Sequence, residues 1–261
     1  MRIIDWKNFT SGICSKKPLA LSIGVFDGVH RGHQVLIRRI FSAGSRPAVI
    51  TFRQNPLKLL KPALYKGDIF SLRQKLAAFQ SLGVGLTVLI DFSVEFSKMM
   101  GKDFIDALIR NNRVESIALG VNFRCGRGLD TGVQEFCSLT EKDGIKILAV
   151  EPVMAGTSPV SSSRIREAVS GGNLAEASEL LGRNVEIDLS GLPANVSFRG
   201  DSAYFLYDAR NSGRVVPPSG NYRARTQGVE AVVSVENGII TVPESIGRKG
   251  FGDEKIEFLA A

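Results

Sequence analysis

The chain of 261 residues contains two histidines, and both lie in one short stretch, GVFDGVHRGHQ (residues 24–34). His30 and His33 stand three residues apart, with Gly32 between them and Asp27 just upstream. A glycine at a strand end, here Gly24, lets the backbone turn sharply. A helix starting after such a turn aims its free N–H groups and positive dipole end at whatever lies beyond the strand. Imidazoles at i and i+3 on its first turn share a face. Gly32 lets a bulky ligand come close to the backbone. The stretch therefore reads as a phosphate cradle with two imidazole donors, Asp27 capping the helix or orienting a metal or water. Two other readings are a two-histidine metal pair, for which no third ligand stands at short spacing, and two surface histidines.

Three more stretches carry suitable chemistry. VSSSRIR (160–166) opens a helix. Ser161, Ser162 and Ser163 can cap it and hydrogen-bond phosphate, and Arg166 brings a planar fork one turn later; plain capping with a solvated arginine is the alternative. In GVNFRCGRGLDTG (120–132) the Asn122 amide can read a base edge or a phosphate, or the segment is a surface loop. TFRQNP (51–56) either closes over a ligand or only connects elements.

These stretches need a frame. LALSIGV (19–25), PAVITF (47–52), LTVLIDF (86–92), ESIALG (115–120) and IKILAVE (145–151) are short apolar runs with strand character. Helical spacing fills the intervals: from about His30 to a Gly44 stop, over 71–83, over 101–112 and near 133–143. Five strand–helix alternations predict a doubly wound α/β domain, a parallel sheet with helices on both faces and a binding crevice at the carboxyl ends of its strands. The glycine turn and the loops after Phe52 and Gly120 belong at that edge. Two helices broken at Gly171-Gly172 follow. After about Asn184 the segments 203–209, 230–235, 238–243 and 255–259 are strand-like, with Glu236-Asn237-Gly238 as a tight hairpin turn. The expected division is 1–185 for the α/β domain and 186–261 for a small C-terminal β domain, a reduced barrel.

Net charge is +7 and the pI near 9.4. That suits a nucleic-acid binder or an enzyme handling several phosphates; the basic residues are scattered, which favours the enzyme. Three cysteines, Cys14, Cys125 and Cys137, are too few and too widely spaced for a disulfide framework or a structural zinc site. The first dozen residues do not read as a signal peptide and no apolar run spans a bilayer, so a cytoplasmic location is expected.

Strand-Gly-x-Phe-Asp followed by H-x-G-H resembles the nucleotidyltransferase superfamily. The fuller GVFDGVHRGHQ is similar to the prokaryotic FAD synthetases, the riboflavin kinase/FMN adenylyltransferase family. TFRQNP resembles that family's T-F-x-P-H-P, with Gln54 and Asn55 in place of Pro and His. GVNFRCG resembles G-x-[DN]-F-x-F-G, with Cys125 at the usual aromatic. VSSSRIR resembles [IV]-S-S-[ST]-x-[IV]-R, and ELLGR (179–183) follows at the expected place. The four ordered motifs cover about residues 20–185.

The resemblance implies a Rossmann-like nucleotidyltransferase domain that joins ATP to FMN, giving FAD and pyrophosphate. It implies that His30 and His33 hold the ATP phosphates, that Arg166 with Ser161, Ser162 and Ser163 holds the triphosphate from the other side, and that Asn122 helps place the nucleotide. Gly24, Phe26, Asp27, Gly32, Phe52, Asn55, Pro56, Phe123 and Arg124 would complete the substrate sites. Mg²⁺ would arrive with ATP, with no metal held by protein ligands alone. FMN and ATP would be the small-molecule partners, without nucleic acid or membrane. The family's kinase part is a longer barrel plus helix with G-F-P-T-A-N; GLPANV (191–196) lacks its threonine. The expectation is therefore an FMN adenylyltransferase without riboflavin kinase activity. The alternatives are another small nucleotidyltransferase, a bifunctional enzyme, and a non-catalytic flavin or nucleotide sensor.

Overall fold

The computed structural model describes residues 1–12, 17–41, 44–226, 228–244 and 255–259. Cys14 lies outside them; Cys125 and Cys137 are free thiols. The chain forms two compact units, both assembled from separated segments: residues 1–26, 32–65 and 75–159, and residues 27–31, 66–74 and 160–261.

The first unit is built on a six-stranded sheet in the order β1-β4-β3-β2-β5-β8. Its strands are β1 (Arg2–Asp5), β2 (Leu19–Ile23), β3 (Arg46–Phe52), β4 (Leu86–Ile90), β5 (Val114–Gly120) and β8 (Lys146–Val150). All neighbouring pairs are parallel. Two short antiparallel pairs, β6 (Arg124–Cys125) with β7 (Thr131–Gly132) and β9 (Met154–Ala155) with β10 (Ser158–Pro159), decorate the loops. The helices are α1 (Trp6–Thr10), α2 (Arg31–Arg38), α3 (Leu57–Leu60), α4 (Leu72–Ser81), α5 (Val94–Ser97), α6 (Gly101–Ile109) and α7 (Val133–Thr140); α2 and α4 each begin on residues grouped with the second unit.

Every residue of β2 and of β4 is buried, as a strand covered on both faces requires. Leu19, Leu21 and Ile23 point to one face and join Phe9 of α1, Phe104, Ile105 and Leu108 of α6, and Phe136 of α7 in one apolar cluster. Trp6 stacks on Phe9 and Phe104 at its margin. Ala20 and Ser22 point the other way. From β2 the chain moves outward through β3 and β4, then returns to place β5 on the opposite side of β2. This reversal is the switch point at which α/β sheets open a crevice, and the turns after Ile23 and Gly120 flank it.

The sequence pattern anticipates five of these six strands. β1 is additional: its exposed Ile3 and charged ends mark an edge strand rather than a buried one. The helix expected from His30 to Gly44 is confined to Arg31–Arg38, and His30 precedes it.

The second unit carries a helix pair, α8 (Ser162–Ser170) and α9 (Leu174–Leu181), and an open antiparallel sheet in the order β11-β17-β14-β15-β16-β13-β12. Its strands are β11 (Val185–Asp188), β12 (Ala194–Arg199), β13 (Ser202–Asp208), β14 (Gly220–Thr226), β15 (Val229–Glu236), β16 (Ile239–Pro243) and β17 (Lys255–Phe258). The tight hairpin turn read at Glu236-Asn237-Gly238 narrows to Asn237 and Gly238, which join β15 to β16 with φ of 48° and 78°. β11, β12 and β14 were not anticipated. Gly171 and Gly172 separate α8 from α9 as expected.

Asp188, at the end of β11, is the polar anchor of this unit. Its carboxylate accepts from Arg73 (2.6 and 3.2 Å), Ser71 (2.6 Å), and the backbone and hydroxyl of Ser190 (2.9 and 2.6 Å). Burial alone would push its pKa up, but the bonds from Arg73, Ser190 and Ser71 outweigh that and bring it down to about 2. A depressed acid stabilises the fold above its unfolded pKa of about 3.9, and that contribution is lost as pH falls through about 2. Asp188→Asn is expected to lower unfolding stability by about 2 kcal/mol at pH 7. Urea titrations between pH 7 and 2 should show a shallower acid loss in the variant; equal slopes would remove Asp188 from this role.

Candidate active site

In the first unit, the turn after β2 is shaped by close packing. The Gly24 N–H donates to the Ile50 carbonyl (3.1 Å), and the Phe26 ring folds back so tightly that a Cβ on Gly24 would lie 3.1 Å from it. Phe26 is fully buried, adopts a left-handed φ of 53°, and meets Phe79 and His33 edge-on at 5.7 and 5.2 Å. The Val25 carbonyl accepts from Thr51 Oγ1 (3.0 Å) and from the buried ammonium of Lys75 (3.3 Å), which also donates to the Phe52 carbonyl (2.9 Å). Lys75 thus joins the GVFDG turn to the TFRQNP segment. The sequence reading missed it; the signal was a lysine one turn ahead of the buried Phe79 on α4.

Asn55 is buried and its side-chain oxygen accepts the Leu57 N–H (3.1 Å), opening α3 behind Pro56. Phe52 meets Phe92 edge-on at 5.6 Å. Beyond β5, Asn122 and Arg124 are exposed, and Phe123 packs against Phe136. The loop is fixed at its far end, where the Asp130 carboxylate accepts the Gly101 N–H of α6 (3.1 Å). Burial, then the charge of Asp130, pushes the Cys125 thiol up to about 12, so it stays protonated.

In the second unit, residues 27–30 form a buried turn held from three directions. The Asp27 carboxylate accepts the backbone N–H groups of Ile69 (3.0 Å) and Phe70 (3.0 Å) and pairs with the Arg166 guanidinium. Arg166 Nε also donates to the Gly67 carbonyl (2.7 Å). The 66–70 segment is itself tied down, since Asp68 bridges to Arg214 through Asp68 N to Gly213 O (2.7 Å) and Val215 N to Asp68 O (3.0 Å). Ser162 Oγ donates to the Asp27 carbonyl (3.0 Å), while Ser161 caps α8 by accepting the Arg164 N–H. Ser163 is exposed. Motifs more than 130 residues apart are thereby brought together: Asp27 and His30 with Ser162 and Arg166.

Two physical consequences differ from the sequence picture. Asp27 does not cap α2 and is not open to a metal, because its oxygens serve Arg166 and two amides. Arg166, expected to hold the triphosphate with a solvated helix charge as the alternative, is buried with its fork turned onto Asp27 and Gly67. His30 is also buried, and desolvation first, then the charges of Arg183 and Arg166, bring its pKa down to about 4. It is a neutral imidazole at pH 7. Among the described residues no three His, Cys, Asp or Glu side chains gather as a metal site, and no helix is long and apolar enough to cross a membrane.

The turn needs Gly28. Its φ is +75°, and a Cβ would lie 2.9 Å from Ile69 Cγ2. Gly28→Ala is expected to cost about 2 kcal/mol and roughly 5 °C in Tm. Gly144→Ala has a similar φ of +67° but open space, and serves as the control. Equal melting of the two variants would show that the packing against Ile69 is irrelevant.

A family model for FAD synthetase matches residues 13–164. A bifunctional riboflavin kinase/FMN adenylyltransferase of Escherichia coli K12 is 31% identical over 167 residues, covering 62% of this chain and 53% of that protein. The chain thus spans about half the length of the curated relatives it matches first. A Listeria monocytogenes FAD synthetase is 26% identical over 221 residues, 83% of each chain. Among solved structures, a Streptococcus pneumoniae protein described as a macrolide-efflux protein superposes with a TM-score of 0.79 at 21% identity, over 99% of this chain and 90% of that one, and so shares the fold. With the family model covering more than half of its residues, and the H-x-G-H turn and serine-capped helix built as above, the chain belongs to the FAD synthetase family.

Proposed function

We propose that the protein is an FMN adenylyltransferase. The observation that carries this reading is the joining of the Asp27–His30 turn to the start of α8 through Ser162 and Arg166. An oxygen of the FMN phosphate attacks the α-phosphorus of ATP, a new P–O–P bond forms, the bond to the β-phosphate breaks, and pyrophosphate leaves. The protein positions the reactants and stabilises developing charge. His30, neutral at pH 7, acts as a fixed N–H donor with no proton to transfer, and His33, three residues on, is the second donor. Ser161, Ser163 and Gly32 border the phosphates. Arg166 acts through Asp27, holding the turn in register. Asn122 and Arg124, exposed beyond β5, are available to the nucleotide, and Phe52, Phe123 and Pro56 to the flavin.

Mg²⁺ is part of the MgATP substrate in this reading. The described residues fit no protein-held metal: none gather as a cluster, and the Asp27 carboxylate is filled. Mg²⁺ suits this arrangement because it keeps waters and binds through substrate phosphates. A reaction on ATP and FMN belongs in the cytoplasm and calls for no nucleic acid or membrane.

The same reading assigns no riboflavin phosphorylation to these residues, on the chemistry of one motif. GLPANV offers no hydroxyl where the kinase motif has threonine; its Ala194 and Asn195 begin the edge strand β12.

One assay tests both statements. Pure protein with ATP and Mg²⁺ should convert FMN to FAD and leave riboflavin unphosphorylated. His33→Ala should keep the fold and slow FAD formation by roughly a hundredfold or more. Near-normal turnover in the variant would remove His33 from the chemistry, and FMN appearing from riboflavin at a comparable rate would show an active kinase.

A further inference from the structure

The ELLGR segment after α8 takes no part in the scheme above, yet its arginine reaches the same turn. α9 ends at Leu181, and Gly182 reverses the chain in the left-handed conformation (φ 73°). The reversal sends Arg183 back beneath residues 28–30. Its Nη1 donates to the Val29 carbonyl (3.2 Å), its Nη2 donates to the Gly28 carbonyl, and its guanidinium lies 4.4 Å from the centre of the Phe70 ring. Phe70 is the residue whose backbone N–H holds Asp27. One planar cation therefore grips the last two carbonyls before His30 and rests on the segment that anchors Asp27.

This grip bears on a strained part of the chain. Val29 has a φ of 38°, which a β-branched residue rarely adopts, so the surroundings must hold it there. A lysine can donate to either carbonyl but cannot form the fork or lie flat on Phe70.

We propose that Arg183 is a positioning residue for adenylyl transfer, fixing the carbonyls that precede His30 and placing a permanent positive charge beside that imidazole. The proposal rests on the reading of His30 as a phosphate donor. The charged groups around His30 are Arg183 behind α9 and Arg166 of α8; Arg31 follows it in sequence, and Asp27, on its own turn, is taken up by Arg166. Asp68 acts on Asp27, and Glu186 of β11 faces Arg183. Arg183 stays charged despite its burial, which brings it down only to about 10. Its charge adds to desolvation in keeping His30 neutral.

With two histidines in the chain, imidazole proton resonances report the effect directly, and His33→Gln assigns them. In the intact protein, His30 should show no titration above about pH 5. Arg183→Met should raise its midpoint, while Arg183→Lys, which keeps the charge, should leave it near the parent value. Arg183→Lys should nonetheless lower kcat/KM for ATP by roughly tenfold to a hundredfold, because the turn is no longer held in register. An unchanged His30 midpoint in a folded Arg183→Met protein, or full activity in Arg183→Lys, would overturn the proposal. If Arg183→Met does not fold, the Arg183→Lys kinetics decide. The titration needs no turnover, so its failure is distinct from a failure of the parent protein to make FAD.

Discussion

The buried carboxylate of Asp27 is the constraint around which the turn at residues 27–30 is organised. It collects an arginine from α8 and two amides from the 66–70 segment, while its own carbonyl receives Ser162. Burial pushes its pKa up; Arg166 and the amides of Ile69 and Phe70 oppose this, and Asp68 adds to it. An acid whose folded pKa is raised contributes its stability below the unfolded pKa and loses it as pH rises through the folded value. The Asp27–Arg166 pair is therefore a device for placement rather than for stability. It specifies where residues 27–30 lie, at some thermodynamic cost.

The backbone carries the rest of that cost. Phe26, Gly28 and Val29 all have positive φ within four residues. Such strain persists only where surroundings over-determine it, and it costs about 1–3 kcal/mol per non-glycine residue. In the first unit, Val25 and Phe26 are held by Thr51, Lys75 and the packing of Phe26 on Phe79. In the second unit, residues 27–29 are held by Arg166, Arg183 and Ser162. The result is a tightly held turn bearing a neutral imidazole, which suits the proposed role of fixing a phosphate rather than moving a proton.

Much of this was legible in the residues. The alternation of apolar runs and helical spacing gave the parallel sheet, because strands buried on both faces read as continuous apolar runs. The serine cap of α8, the Gly171-Gly172 break and the Asn237-Gly238 turn followed from local chemistry. β14 was missed although Tyr222, Ala224 and Thr226 alternate inward, because the intervening Asn221, Arg223 and Arg225 make it look polar throughout. The roles of Lys75 and Arg183 were missed for another reason: each acts on backbone carbonyls far away in sequence, and neither the place of Lys75 one turn ahead of Phe79 nor the ELLGR motif says which carbonyls. Arg166 was singled out, but its burial against Asp27 depended on a contact across 139 residues.

The central claim is that Asp27 and Arg166 act as a unit to set the turn at residues 27–30, the proposed holder of the ATP phosphates. A double-mutant cycle on ATP affinity with Asp27→Asn, Arg166→Met and the double variant tests it most directly. The account predicts a coupling energy of about 1.5 kcal/mol or more, each single change weakening ATP binding and the second adding little to the first. Additive effects, equal within about 0.5 kcal/mol to the sum of the singles, would contradict it.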